Sequence, residues 1–334
     1  MNLFKKKKLD ILVLGTDGML GYDVYQSLME WARCGHYFNN ITGLDRKQLD
    51  KLHITDYNQN RLYEYLEQSR HFDYIINCVA MTDTYAAENT VEGRDLSYKL
   101  NTLFPKQLAV QCKIIKSKLI HISTDYVFSE KSPSYSKDFT KQFGFFTYDT
   151  PYPVNTYGHH KLLGEQFIQQ TLKEKDYAIL RTSLLYGQHN QKSFVHKFLN
   201  NAFKCMDKVE DIEVTENEYS IPTSTHTVVE YIIDTMINKH HGIIHAVCAT
   251  NDNQPVSIYD FAKHIGKYYN QIINDRHPES NKRRIEEDAI VPVIRENKLQ
   301  PVVSRLYRNK DAFYWKTQLY TFMLNNFEEL SKDR

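Results

Sequence analysis

Residues 15–21 read GTDGMLG, between the apolar run LDILVL at 9–14 and an amphipathic run that continues through LGYDVYQSLMEWA. Gly15, Gly18 and Gly21 therefore fall after a strand and at the mouth of a helix. Glycines at this spacing let the backbone turn tightly and approach a pyrophosphate, while the N–H groups that open the helix point at its negative charge. Alone such a trio is weak evidence; in this context it marks a dinucleotide cradle, to which Asp17, Met19 and Leu20 add their backbone. The expected fold is α/β, a Rossmann-type doubly wound parallel sheet.

The chain outward from this point keeps the same rhythm. ITGLD (41–45), DYIINCVA (73–80) and KLIHIS (118–123) are short apolar runs separated by helix-like stretches. Near-continuous apolar strands alternating with helices mark a parallel sheet covered on both faces. YAILRTS (177–183) and GIIHAV (242–247) extend that sheet. From about residue 193 the texture changes: a helix-like SFVHKFLNNAFK, a strand-like DIEVTE, then helices around 258–269 and 316–330, with a highly charged 274–287 expected as an exposed loop or a mobile helix. The expectation is an NAD(P)-binding domain over 1–183 and about 222–248. A smaller, discontinuous substrate-binding domain takes about 184–221 and 249–334.

In such a sheet ligands bind at the carboxyl ends of the strands, so hydroxyls and acids there are site candidates. Asp45 ends the second strand where an acid would bind the adenosine ribose hydroxyls, while Arg46 and Lys47 beside it suit a 2′-phosphate. Two adjacent cations favour NADPH, with NADH the alternative. Asp56 is either an adenine contact or a helix cap. Asn77, Ala80, Met81 and Thr82 end the strand over which a dinucleotide would lie, and Ser123 and Thr124 end KLIHIST.

Composition narrows the classes. The 42 basic and 41 acidic residues nearly cancel, so no field favours nucleic acid or a membrane surface. No window approaches the roughly 20 apolar residues of a spanning helix. The basic run Lys5–Lys8 precedes an apolar stretch broken at Asp10, too short for a secretion signal, and a cytoplasmic location is expected. The five cysteines are scattered and lack a CxxC pair, which points away from disulfides and zinc.

NTYGHHKLLGE (155–165) holds the remaining signal. If Asn155 caps a helix, Tyr157 and Lys161 form an i, i+4 pair on one face. A phenol with a reference pKa of about 10 needs a fixed cation to work as an acid–base group near neutrality, and a lysine can supply it. His159 and His160 lack ligand partners at helical spacing and cannot share a face, so no metal is expected. The aromatic stretch 135–153 is a pocket wall or a loop packed on its own domain.

Together GTDGMLG, INCVAMTDTYAAE, HISTDYVF, NTYGHHKLLGE and LRTSLLYG, with a weaker echo in SIPT, resemble extended short-chain dehydrogenase/reductases. The resemblance is greatest to the dTDP-4-dehydrorhamnose reductase family. It implies NADPH-dependent reduction of the C4 ketone of a nucleotide-linked 4-keto-6-deoxy sugar, giving a rhamnose-type or N-acetylated rhamnosamine-type product on dTDP or UDP. By it Thr124 hydrogen-bonds the substrate carbonyl, Tyr157 donates the proton, and Lys161 binds the nicotinamide ribose and lowers the tyrosine pKa. Asn101 supports a proton path, and Asp125 and Tyr126 contact substrate. Tyr126 also stands where related dehydratases place a glutamate, which disfavours dehydration.

Departures lie on the substrate side: Thr84 and Tyr85 before Ala86, Leu184 after RTS, and only Lys298 and Arg295 as diphosphate contacts. The resemblance extends to a regulatory subunit of methionine adenosyltransferase, so a non-catalytic NADP-binding subunit is the alternative. A homodimer is left open by the sequence.

Overall fold

The protein is described by a computed structural model covering residues 8–35, 37–56, 61–134, 145–250, 255–279, 283–294 and 314–332. β1 (Leu9–Leu14) enters the glycine turn and α1 (Met19–Arg33); β2 (Phe38–Leu44), α2 (Arg46–Lys51), α3 (Leu62–Gln68) and β3 (Tyr74–Asn77) follow. Two short helices, α4 (Thr84–Asn89) and α5 (Val91–Tyr98), lead through a π-helical turn at Lys99–Leu103 into α6 (Phe104–Ile115). Then come β4 (Lys118–Thr124), a 3₁₀ turn at Asp125–Val127, α7 (Thr156–Thr171) and β5 (Tyr177–Thr182).

β1 to β5 and a later strand, β10 (Gly242–His245), form one parallel sheet in the order β10-β5-β4-β3-β1-β2. The chain moves from β1 to β2 on one side and then to β3 on the other. The crevice between the carboxyl ends of β1 and β3 is thus the topological switch point, where such sheets bind ligands. Side chains alternate along each strand, so both faces are apolar. Ile11, Val13, Ile76, Ile120 and Leu180 pack with Val24 and Leu28 of α1. Leu12, Leu14, Ile75, Leu119 and Ile179 pack with Leu66 of α3, Leu108 of α6 and Ile168 of α7.

Beyond β5 the chain runs β6 (Leu185–Tyr186), α8 (Phe194–Lys208), β7 (Ile212–Thr215), β8 (Tyr219–Ser220), β9 (Thr223–Ser224) and α9 (Thr225–Asn238). β10 (Gly242–His245), β11 (Val256–Ser257), α10 (Ile258–Arg276), β12 (Ile290–Val293), α11 (Trp315–Asn325) and α12 (Phe327–Leu330) complete it. α9 returns to the sheet, where Val228 and Ile232 join the α1 face. The rest builds a separate apolar cluster that includes Val195 and Leu199 of α8, Ile265 and Tyr269 of α10, and Leu319 and Met323 of α11.

One expectation about this part holds in the main and one is corrected. The charged segment 274–287 begins as the last turn of α10 and most of its described residues are exposed, while Ile285 is buried, its backbone N–H and C=O both bonded by the Asn270 side chain at 2.9 and 2.7 Å. The single helix expected at 316–330 is two, α11 and α12, divided at Asn326, whose Nδ2 caps the Phe322 carbonyl at 2.7 Å. No helix among the described residues is long and apolar enough to cross a membrane.

Candidate active site

The glycine turn is built for close approach. Gly15 has φ +85°, in the left-handed region that glycine alone adopts without cost. A Cβ on Gly21 would lie 2.0 Å from the Gly15 carbonyl oxygen, so the first turn of α1 sits on the loop only because residue 21 has no side chain. Gly18 is the N-cap and offers no side-chain acceptor, which leaves the first N–H groups of a 15-residue helix for an anion.

Beside this loop, at the switch point, lies a cleft of about 460 Å³. Among its walls are the expected Gly15, Asp17, Gly18, Arg46, Ala80, Met81 and Thr82, joined by Cys78, Val79 and Leu100. Met19 and Leu20 open α1 behind them, with Leu20 buried. Ile54 and Thr55 line the cleft where Asp56 was expected.

The two signals at the end of β2 are separated by geometry. Asp45 Oδ1 accepts from Gln48 N–H at 2.8 Å while Gln48 Oε1 accepts from Asp45 N–H at 2.9 Å, a reciprocal capping box that starts α2. The carboxylate is thereby engaged with its own helix. Arg46 keeps an exposed guanidinium at the cleft wall, its Nε 4.0 Å from Asp17 Oδ2.

A second group gathers at the carboxyl end of β4. Asn155 caps α7, accepting from Gly158 N–H at 2.7 Å, as the sequence leads one to expect. A Cβ on Gly158 would lie 2.2 Å from the Tyr126 carbonyl oxygen, so the small residue lets α7 seat against the 3₁₀ turn after β4. That contact brings Tyr157 to Thr124. The Thr124 side chain lies near enough to the phenol to lower its pKa, donates to Asp125 Oδ1 at 3.1 Å and accepts from Tyr126 N–H at 3.2 Å. The rings of Tyr126 and Tyr157 meet edge-on at 5.6 Å.

Burial pushes the Asp125 carboxyl up to about 6 against the lowering effect of bonds from Ser183 and Thr124. Burial, and then the charge of Asp125, raise the Tyr157 phenol above its ordinary value. This differs from the lowering that the resemblance implies. Lys161 Nζ points elsewhere: it donates to the Ile122 carbonyl at 2.6 Å and lies 3.3 Å from His121 Nε2. Burial lowers Lys161 to about 8, opposed by Glu165 and Cys78.

Asn101 stands in the π-helical turn, fully buried. Its side chain is turned to Met81, accepting from the backbone N–H at 3.1 Å and donating to the C=O at 2.9 Å. It therefore fixes the cleft wall at Met81. Gly164 makes room for the Asn101 carbonyl, 2.3 Å from where a Cβ would be.

Three further side chains escaped the sequence reading although the motifs contain them. Glu165 accepts from Arg181 Nη2 at 2.6 Å and Nε at 3.0 Å and from Ser123 Oγ at 2.5 Å, all buried. His121 is the third, opposite Asn77 in the β3–β4 register. Its one visible signal is a histidine interrupting the apolar strand KLIHIS.

The paired histidines take local roles: His159 is exposed, and His160 Nδ1 lies 3.0 Å from Ser97 Oγ. From the aromatic stretch, Phe145 stacks on Phe128 at 4.3 Å, a packing contact. Lys298 and Arg295 lie outside the described residues.

The chain is similar to reductases of nucleotide-linked sugars. The dTDP-4-keto-6-deoxy-D-glucose reductase of Streptomyces niveus is 28% identical over 239 residues, 71% of this chain and 72% of that one. The structure of a dTDP-4-dehydrorhamnose reductase from Clostridium acetobutylicum superposes with TM-score 0.73 at 25% identity, covering 94% of this chain and 98% of that one. The dTDP-4-dehydrorhamnose reductase of Bacillus anthracis in complex with NADP gives TM-score 0.73 at 24% identity, covering 96% of this chain and all of that one. The RmlD substrate binding domain family matches residues 9–289, a span that holds the whole sheet, the glycine turn and the Thr124–Tyr157 pair, and the chain belongs to that family.

Proposed function

We propose that this protein is an NADPH-dependent reductase of the C4 ketone of a nucleotide-linked 4-keto-6-deoxy sugar, with a rhamnose-type product, acetamido variants included. The observation that carries the reading is the juxtaposition of Thr124 and Tyr157 at the end of β4, on the sheet edge that also forms the switch-point cleft. The relatives named as reductases of such sugars support it.

In this reading the glycine turn holds the pyrophosphate, Ala80, Met81 and Thr82 form the cleft wall, and Arg46 takes the 2′-phosphate. Bound there, NADPH supplies the hydride for the carbonyl carbon. Tyr157 donates its proton to the carbonyl oxygen, and Thr124 hydrogen-bonds that oxygen as charge develops on it. The raised phenol suits an acid, because it stays protonated until the oxygen becomes basic. Asp125 and Tyr126 contact the sugar in the same reading, supported by their place beside Thr124 and Tyr157. The division into an NAD(P)-binding domain, 1–183 with about 222–248, and a substrate-binding domain over the remainder belongs to the same proposal. It is supported by the apolar cluster that α8, α10 and α11 form apart from the sheet.

The test is direct. Purified protein is mixed with NADPH and 4-keto-6-deoxy sugar nucleotides of the dTDP and UDP series, plain and acetamido, and absorbance at the reduced nicotinamide band is followed. A fall that requires the sugar nucleotide is expected. NADP binding without oxidation by any member of the panel would overturn the reading in favour of a non-catalytic subunit.

A further inference from the structure

The glycine turn and the end of β2 are tied to each other as well as to the sheet. Gly15 N–H and Thr16 N–H both donate to the Leu44 carbonyl, at 2.8 and 3.2 Å. Asp17 Oδ1 accepts from Arg46 N–H at 3.0 Å, which satisfies one of the open donors in the first turn of α2. The Asp17 carboxylate is therefore fixed on the cleft wall beside the Arg46 side chain, whose Nε lies 4.0 Å from Oδ2.

The charges on that wall are unequal. Arg46 is the one cation among the described residues that line it, and Asp17, Asp50 and Asp83 are the acids. The side-chain pair of Arg46 and Asp17 is weak, because the two groups are 79% and 44% exposed and water screens them. Arg46 can thus turn its guanidinium to another anion, while Asp17, held by a backbone N–H, stays in place.

We propose that Asp17 is a specificity-determining residue of the cofactor site: its fixed negative charge opposes a 2′-phosphate held by Arg46, and so narrows the preference for NADPH over NADH. The inference rests on the placement of that phosphate at Arg46. The pyrophosphate is common to both cofactors and meets Asp17 in either, so the ratio of the two affinities isolates the effect at the 2′ position. Between charges of one sign close together near a protein surface, such a repulsion is worth roughly a three- to tenfold change in affinity.

The test is a binding measurement without sugar nucleotide, so its outcome is separate from that of the activity assay. Asp17→Asn keeps an oxygen that can accept from Arg46 N–H and removes the charge. NADPH and NADH are titrated against wild type and variant at low ionic strength, with the nicotinamide fluorescence as the readout. The ratio of dissociation constants, NADH over NADPH, is expected to rise roughly three- to tenfold in Asp17→Asn. The rise should shrink at about 0.5 M salt, where charges are screened within a few ångströms. Asp17→Ser, whose hydroxyl also accepts from an N–H, is expected to change the ratio in the same direction.

An unchanged ratio would overturn the proposal. So would a fall, which would mean that the carboxylate holds Arg46 ready for the phosphate. A rise that persists undiminished in high salt would assign the gain to a new hydrogen bond from the asparagine amide, and would overturn it as well. The wild-type ratio tests the placement of the phosphate at Arg46 and the change on substitution tests Asp17, so the two can fail separately.

Discussion

Two side chains carry most of the residue-scale account. Tyr157→Phe removes one oxygen from a buried ring and leaves its packing against Tyr126 in place. NADPH affinity, read by fluorescence titration, is expected to stay within about twofold. Turnover is expected to fall by roughly 10²–10⁴, the usual worth of a general acid; a near-normal rate would show that the proton comes from another group.

Asp125 offers a prediction about pH. Its folded pKa of about 6 lies above the roughly 3.9 of an unfolded aspartate. Below about pH 4 both states are protonated and the group is neutral in its effect; as pH rises toward 6 the unfolded chain loses the proton first, and stability falls. Asp125→Asn should therefore raise the melting temperature at pH 7 to 8, and the gain should shrink as pH drops from about 6 to 4. A gain that is the same at all pH values would argue against a buried, charged Asp125.

The element scale explains what the sequence made legible. α7 was readable because its start, Asn155, and its active face, Tyr157 and Lys161, obey local rules of capping and i, i+4 spacing. The third residue of that face, Glu165, pairs with Arg181 from β5, and such a contact across elements leaves no mark at fixed sequence spacing. Nor does the Asn77–His121 register pair, which exists only once β3 lies beside β4. Asp45, expected as a ribose contact, shows a use that was not read from the sequence: its carboxylate forms a capping box with Gln48.

Two substitutions test the packing of α7. Glu165→Gln leaves the Arg181 guanidinium buried without its counter-charge, at an expected cost of about 3–5 kcal/mol in denaturant unfolding; a loss below about 1 kcal/mol would mean that the pair is dispensable. In Gly158→Ala the new methyl meets the Tyr126 carbonyl, so α7 must shift from the turn that holds Thr124. Activity should drop even where a melting curve still shows a folded protein.

For the molecule as a whole, the two-sided parallel sheet follows from the alternation of apolar runs with helices, and so was visible in the sequence, whereas the order β10-β5-β4-β3-β1-β2 is seen only in the fold. The segments beyond β5 were less so. β6 and β9 are two residues each and, among the described residues, pair only with one another, too short for any period to register. The cleft at the switch point makes a global prediction as well: NADPH binds the native state alone, so the melting temperature should rise with the logarithm of its concentration. NADH should give a smaller shift at equal concentration, because Arg46 then lacks its phosphate; Arg46→Ala should erase the difference, and equal shifts in the wild type would remove Arg46 from the account.

The central claim is that hydride reaches C4 of a sugar nucleotide beside Tyr157. Its most direct measurement is a reaction with NADPH deuterated on the transferring face at the nicotinamide C4 position, followed by mass spectrometry and NMR of the sugar nucleotide. Deuterium is expected at C4 of the reduced sugar in the wild type, and roughly 10²–10⁴-fold less of it in Tyr157→Phe over the same time. Reduction without label at C4, or label incorporated equally by Tyr157→Phe, would contradict it.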